Sequence, residues 1–526
     1  MPLSRRCAFS VIAIVAGGVV PAWAAADDAV DRSVKAFTSI YDAVERNFAD
    51  KVAPGTALYK GAIPGMLRTL DPHSNFLDTK EYADQRERQR AQYYGVGIKV
   101  VERGGNTQVL WPFEGSPAYR AGLRPGDVIA GINGAPAYGM NSAQVADRLR
   151  GPRGTKVEVT VARGGPDHTL TMTMNRDAIA TSCVPQAFWL KPGIAYVGVS
   201  EFSCETTSRD FEEKLKQLGE DKIEGLILDL RNNPGGLVTD GVEVAGHFLR
   251  KNDLVVSDRG RAQPNQNFLA KGSTFGMRYP IVMLVNRSSA SAAEIVTGAL
   301  QDHDRAWILG ETTFGKGLVQ QPYPLGDKTA LLLTIAHYYT PSGRLIQRDY
   351  SKVSFLDYRL QTNSGGKNLD DVKVTDGGRT VYGGGGISPD EKYDPPKPTR
   401  MQLVLAGSFT LFDFAAQYFA SRPDARLAAG FEPSEDLVSQ FHDFMAQRGP
   451  AFTEAEFQTN RAWIKQQLKR ELYITGFSFE QSQRVALEQD PEVARAMESM
   501  PKAVALFETA QKLIVQRTNQ QKGLAR

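Results

Sequence analysis

The sequence predicts an α/β protein with a layered core, a β-rich module ahead of it and helices at both ends. Three observations carry that reading. Between residues 194 and 339, short apolar runs at 194–199, 225–230, 281–285, 307–309 and 330–339 alternate with helical spacing at 207–218, 237–249 and 291–302, as in a sheet built by parallel pairing. Residues 85–172 hold short apolar stretches punctuated by glycine, with one helical segment at 141–149. Beyond residue 399 the spacing is helical: Phe457, Ile464, Leu468 and Leu472 share one face and Val504, Leu506, Ala510, Leu513 and Ile514 another, with a capping-type start at T453-x-x-E456.

Composition sets the outer limits. The 526 residues are 42% hydrophobic and 23% charged, ordinary for a globular chain of two to four domains. A net charge of +3 argues against nucleic acid as the main partner, since phosphate binders concentrate basic residues. The six histidines are scattered, and no H-E-x-x-H or cysteine cluster implies a metal or another cofactor.

Residues 1–26 read as a signal peptide. Arg5 and Arg6 form the positive region, residues 7–20 the apolar region, and A22-W-A24 a cleavage site. The apolar core is short for a membrane span, so an exported protein, periplasmic or extracellular, is expected; an uncleaved segment would tie it to the membrane. Export leaves Cys183 and Cys204, each placed in a strand flanking the turn near residues 191–193. Their offsets from that turn match poorly, so two buried free thiols are expected at least as readily as a disulfide. Next, Val30, Val34, Phe37, Ile40, Tyr41, Val44 and Phe48 trace one helical face, the basis for a helical cap over 27–84.

The chemistry concentrates in residues 288–320. The apolar strand 281–285 leads into S-S-A-S-A-A-E at 288–294, and Ala292, Ile295, Val296, Ala299 and Leu300 then take helical spacing, placing Ser291 at a strand-to-helix junction. A second strand delivers Lys316 between Gly315 and Gly317. S291-x-x-E294 also satisfies the capping box. Gly310-x-x-x-x-Gly315-Lys316 approaches a phosphate loop, but Gly317 stands where Ser or Thr must hold magnesium. A serine hydroxyl needs a base, and a lysine serves only as the neutral amine, which burial and a helix N-terminus both favour. R-N-N-P-G-G at 231–236, after the strand 225–230, offers backbone donors for an oxyanion.

Together these residues resemble the carboxyl-terminal processing (tail-specific) proteases, which use a Ser–Lys dyad. The serine loop S289-A-S-A-A-E-I, the lysine loop F314-G-K-G and the turn L230-R-N-N-P-G-G-L carry the resemblance, which extends over roughly residues 60–390. It implies Ser291 as nucleophile, Lys316 as general base and Gln320 as the group orienting the lysine. Gly235 or Gly236, with the Ala292 N–H, would bind the oxyanion. Asp229 and Arg231 are expected to shape the turn. Ser288 stands where the family usually has glycine and Ala293 where it often has serine. L70-D-P-H-S74, Y339-T-P-S-G-R-L-I-Q347 and G383-G-G-G-I-S-P-D390 also resemble family segments, with His73 read as structural.

Residues 94–129, with Y94-G-V-G-I-K-V and A121-G-L-R-P-G-D, resemble a PDZ domain. Tyr94, Gly95, Val96, Gly97 and Ile98 are its candidate edge, where backbone amides take a terminal carboxylate and a peptide adds as a strand. The resemblance implies a core related to the crotonase and Clp-protease spiral. The expected organisation is a signal peptide (1–26), cap (27–84), PDZ domain (85–172), protease core (173–393, with a polar insertion at about 351–379) and C-terminal helical region (394–526), the last joined by the stiff D394-P-P-K-P398. The expected function is an endopeptidase acting on proteins with a free C-terminus. A silent PDZ scaffold and a partner-activated protease are the rivals from the same residues, and bound coenzyme A would favour acyl chemistry on thioesters. The C-terminal helices are expected to pack on the core, with a homo-oligomer or adaptor contact as the alternative.

Overall fold

A computed structural model describes residues 22–53, 55–272, 278–351, 353–360, 368–422 and 425–524. Residues 1–21 of the predicted signal peptide and 361–367 of the predicted insertion lie outside the described residues. The chain divides into two compact units, 1–70 and 71–526. In the first, the helix Ala22–Asn47 contains the predicted apolar face up to Val44, with Phe48 just beyond its end, but Val30, Val34, Phe37, Ile40, Val44 and Phe48 are exposed. Helical spacing therefore identified the element and not its burial. Among the described residues no single helix is long and apolar enough to cross a membrane.

The second unit is built on a six-stranded sheet in the order Gln186–Lys191, Ile194–Gly198, Gly225–Asp229, Ile281–Val285, Ala306–Gly310, Glu391–Lys392. The first pair is an antiparallel hairpin and the remaining pairs are parallel. Its central strands are apolar throughout because both faces are covered. Leu226, Leu228, Ile281, Met283 and Val285 face the helices Thr207–Leu218, Val238–His247 and Ala292–Asp302, with Phe211, Val244 and Val296 in the same core. Ile227, Val282, Leu284 and Leu309 face the last helix, Pro491–Leu524, through Val493, Ala496, Met500 and Ala503. That contact is the expected packing on the core, but by another face than predicted: Val504 is exposed.

A five-stranded antiparallel sheet pairs Ala330–Tyr339 with Asn75–Leu77, Leu254–Arg259 and Leu318–Pro324, and Leu254–Arg259 with Gln266–Leu269. The glycine tract is no flexible linker. The Gly384 and Gly386 amides donate to the Leu345 and Ile346 carbonyls at 2.7 and 3.0 Å, and a Cβ on Gly386 would lie 2.5 Å from the Thr313 carbonyl oxygen. The polar stretch before it is partly ordered as a short helix, Phe355–Leu360, and a hairpin of Asn368–Val374 with Thr380–Gly383.

The β-rich module forms a sheet ordered Ile98–Arg103, Asn106–Pro112, Val128–Ile132, Lys156–Ala162, Thr169–Asn175. Val157, Val159 and Val161 point inward from one strand while Lys156 and Glu158 point out, the period of two that a half-buried strand requires. The helix Ser142–Leu149 closes the core with Val145 and Leu149. The chain enters and leaves this module through one ladder, Gln92–Gly95 against Asp177–Ala180. Arg103 pairs with both carboxylate oxygens of Asp413, and Trp111 stacks on Phe479 with ring centroids 3.9 Å apart. The module is thereby fastened to the C-terminal helices, whose own core includes Phe441, Phe457, Ile464, Leu468 and Leu472.

Cys183 and Cys204 are bonded, with Cα atoms 6.2 Å apart. Neither lies in a strand; both sit in loops outside the hairpin 186–198, so offsets from its turn carried no information about their pairing. Closing a loop of sequence separation 21 restricts the unfolded chain. Replacing both cysteines by serine is expected to lower stability by about 3 kcal/mol, read from denaturant midpoints with and without reductant.

Candidate active site

Ser291 stands one residue ahead of the helix Ala292–Asp302 with φ 55° and ψ −117°, values a non-glycine residue holds only where its surroundings enforce them. The Ser289 hydroxyl donates to the Leu230 carbonyl at 2.7 Å and accepts the Asn286 amide at 3.0 Å. The Ala290 amide donates to the Asn233 carbonyl, and the Phe314 amide to the Ser289 carbonyl, both at 2.9 Å. Ser288 is exposed and does not take a positive φ. The turn therefore has no need of glycine there.

Glu294 is the residue that sequence reasoning underrated. As in a capping box, its Oε2 accepts the Ser291 N–H at 2.9 Å, but the Glu294 amide donates to the Ser291 carbonyl at 2.8 Å. The same Oε2 also accepts the Lys316 N–H at 2.8 Å, while Oε1 accepts the Gly315 N–H at 2.7 Å and the Thr313 hydroxyl. One fully buried carboxylate thus ties the serine loop to the lysine loop, and the Tyr338 hydroxyl repeats the tie through the carbonyls of Ser291 and Lys316. Burial raises the Glu294 pKa, and the four donors oppose that rise.

Lys316 is half-buried, and its Nζ donates to Gln320 Oε1 at 2.9 Å. Gln320 cannot turn freely, because its Nε2 donates to the His73 carbonyl at 2.6 Å. That carbonyl is placed in turn by Asp71, which accepts the His73 and Ser74 amides at 2.8 and 2.7 Å and the Ser74 hydroxyl at 2.6 Å. His73 therefore serves the site through its backbone, while its ring reaches the Tyr358 hydroxyl at 3.0 Å. Burial lowers the Lys316 pKa from its ordinary value, against the opposing pull of the Asp71 and Glu294 charges.

The glycine turn lies against the serine. Gly235 and Gly236 have φ 92° and 150°. A Cβ on Gly235 would meet the Ser291 Cβ at 2.6 Å, and one on Gly236 the Phe202 carbonyl carbon at 2.1 Å, so no larger residue fits either position. The Gly235 amide is already donated to Asn233 Oδ1 at 2.8 Å. The amides of Gly236 and Ala292 have no protein acceptor among the described residues. Asp229 and Arg231 pair beneath the turn at 2.6 Å, as expected of residues that shape it. Ser291, Lys316, Gln320, Gly235, Gly236 and Ala292 thus gather in one place.

The other candidate residues form a separate edge. Tyr94 and Gly95 end the ladder strand, Val96 is buried, Gly97 holds φ 78°, and Ile98 opens the outermost strand of the module's sheet. A Cβ on Gly97 would overlap Ser116 at 2.4 Å. Among the described residues the strand Ile98–Arg103 pairs on one side only, which leaves an edge beside the helix Ser142–Leu149. No described group of His, Cys, Asp and Glu is arranged to hold a metal.

Residues 193–352 match peptidase family S41, and residues 108–163 match the PDZ domain. The chain is 39% identical over 316 residues to the carboxy-terminal-processing protease of Bartonella bacilliformis, covering 59% of this chain and 72% of that one. This protein belongs to peptidase family S41. It is a serine-type peptidase of the carboxy-terminal processing kind. The chloroplastic C-terminal processing peptidase of Tetradesmus obliquus is 34% identical over 342 residues, covering 58% and 73% of the two chains. Among solved structures, a photosystem II D1 C-terminal processing protease is 30% identical, with a TM-score of 0.34, covering 68% of this chain and 92% of that one.

Within this S41 core, Glu294→Ala would leave four donors without their acceptor. The expected loss is at least about 3 kcal/mol of stability, measured by chemical denaturation, together with slower labelling of Ser291 by a fluorophosphonate.

Proposed function

We propose that this protein is an exported, periplasmic or extracellular endopeptidase that captures the C-terminus of unfolded or tagged proteins at its PDZ edge and cleaves them at Ser291 with Lys316 as base. The observation that carries this reading is the single Glu294 oxygen accepting both the Ser291 and the Lys316 main-chain N–H, at 2.9 and 2.8 Å. Lys316 in its neutral form removes the Ser291 proton. The serine oxygen attacks the carbonyl carbon, and the resulting oxyanion takes the Gly236 and Ala292 amides. Lys316 returns the proton to the leaving amine, and water then hydrolyses the acyl-enzyme. Gln320 holds the lysine by accepting one of its hydrogens, leaving the amine's lone pair for the serine. The strand Ile98–Arg103, whose outer edge has no partner strand among the described residues, and the Gly97 turn support peptide addition, with the terminal carboxylate on the neighbouring amides.

Ser291→Ala and Lys316→Ala are each expected to lower cleavage of an unfolded protein substrate by at least about 1,000-fold. Lys316→Arg should be as inactive as the alanine variant, because a guanidinium keeps its proton. Equal cleavage by all variants would reject the dyad. Amidating the substrate's C-terminus should raise KM with little change in kcat. A parent that cleaves nothing while Ser291 still takes a fluorophosphonate would favour partner activation.

The base must be unprotonated and its pKa lies below the ordinary lysine value of 10.5. Activity is therefore expected to be lost at low pH and to rise through a midpoint below that value, measured as kcat/KM against pH. A midpoint at or above the ordinary value would count against Lys316 as base.

A further inference from the structure

We propose that Glu492 and Asp490, at the start of the last helix, are positioning residues for the oxyanion-binding turn and act on it through Arg231. The inference rests on the reading of Ser291 and Gly236 given above. Arg231 is the first residue of the turn. Its own N–H donates to Asp229 Oδ1 at 2.8 Å, its Nε contacts both Asp229 oxygens at 3.1 and 3.0 Å, and its Nη2 donates to Asp229 Oδ2 at 2.6 Å. Tyr196 donates its hydroxyl to the same carboxylate at 2.9 Å. One edge of the guanidinium is thereby satisfied. The other nitrogen, Nη1, meets Glu492 Oε2 and Asp490 Oδ2, each at 2.8 Å.

Three carboxylates around one largely buried guanidinium exceed what neutralising it requires, and surplus buried charge is costly. Attraction of acidic groups to the helix N-terminus accounts for only one of them. Asp490 Oδ1 accepts the Glu492 and Val493 amides at 2.8 and 3.4 Å, as a cap does. The Glu492 carboxylate reaches away from the helix to Arg231. Its Oε1 lies where a Cβ on Gly310 would be 3.0 Å away, at the end of the strand from which the lysine loop departs. The helix itself is fixed, since Val493, Ala496, Met500 and Ala503 pack on the back of the sheet. A docked helix thus holds the guanidinium from outside while Asp229 holds it from within, and the guanidinium's own backbone begins the turn that ends in the Gly236 amide. Residues 490 and 492 lie well beyond the segment 193–352 that matches the peptidase family.

The test compares the full chain with Glu492→Ala and the near-isosteric Glu492→Gln. It uses a peptide substrate and a peptide aldehyde whose adduct with Ser291 places an oxyanion on the turn. For Glu492→Ala, kcat should fall at least about tenfold, the aldehyde inhibition constant should rise by the same factor, KM should stay within about twofold and the global unfolding midpoint should hold. Amide hydrogen exchange should quicken in residues 231–237 alone. Glu492→Gln, which keeps an acceptor for Nη1, should recover most of the activity. Equal weakening of substrate and aldehyde, or unchanged exchange in 231–237, would overturn the proposal. The exchange result stands whether or not the parent cleaves, whereas a parent inert to substrate and aldehyde alike would sink the Ser291 reading on its own.

Discussion

The buried carboxylate of Glu294 is the interaction on which the rest of the site depends. An ionised carboxyl group leaves water only when donors replace its hydration, and here four do so from two loops. That makes the arrangement close to all-or-none. The serine loop supplies one donor and the lysine loop three, so displacing either loop strands a charge in the interior. The parallel sheet brings the loops together beforehand, because Val285 and Gly310 are paired in register and the Glu311 amide donates to the Val285 carbonyl at 3.0 Å.

The strictness suits the lysine base proposed for this site. An unperturbed histidine already titrates near neutrality, whereas a lysine must be dried to lose its proton there. Burial lowers the Lys316 pKa, while the two nearby acids, Asp71 and Glu294, work against it. Both acids are spent on hydrogen bonds to backbone and hydroxyl donors. Asp71 in particular is pushed up by burial, yet the Ser74 hydroxyl and the His73 and Ser74 amides hold it below the ordinary range. Each acid supports a loop that confines the lysine, and neither takes a hydrogen bond from its amine. The amine's polar partner is the neutral Gln320.

Much of this was legible in the sequence, and the misses share a physical pattern. Strand and helix periods located the core elements to within a residue or two, and the glycine pair at 235–236 marked the turn that lies against Ser291. What one sequence cannot show is which partner a group has when several would serve. S291-x-x-E294 satisfies a helix cap, so nothing local revealed that the carboxylate also reaches Gly315 and Lys316. His73 contributes a carbonyl, which carries no side-chain signature. The last helix is apolar on more than one face, and only the packed sheet selects Val493, Ala496, Met500 and Ala503. Cys183 and Cys204 meet because of loops outside the hairpin, where strand register says nothing.

Those loops also lie on the path between the proposed peptide-binding edge and the proposed hydrolytic site. The ladder that carries the PDZ module continues from the Thr181 amide to the Ala91 carbonyl, and Cys183, two residues on, accepts the Ser200 amide at 2.9 Å. Phe202 then donates its amide to Gly235 and accepts that of Leu237, both at 2.8 Å, clasping the glycine turn from outside. The disulfide spans this short path from Cys183 to Cys204. The physical consequence is that the module is anchored to the segment that clasps the turn. A displacement of the ladder strand Asp177–Ala180 would be absorbed in the residues before Cys183, along the path from Cys183 to Phe202, or in the turn itself. Gly236, with no space for a β-carbon, has very little room to absorb it.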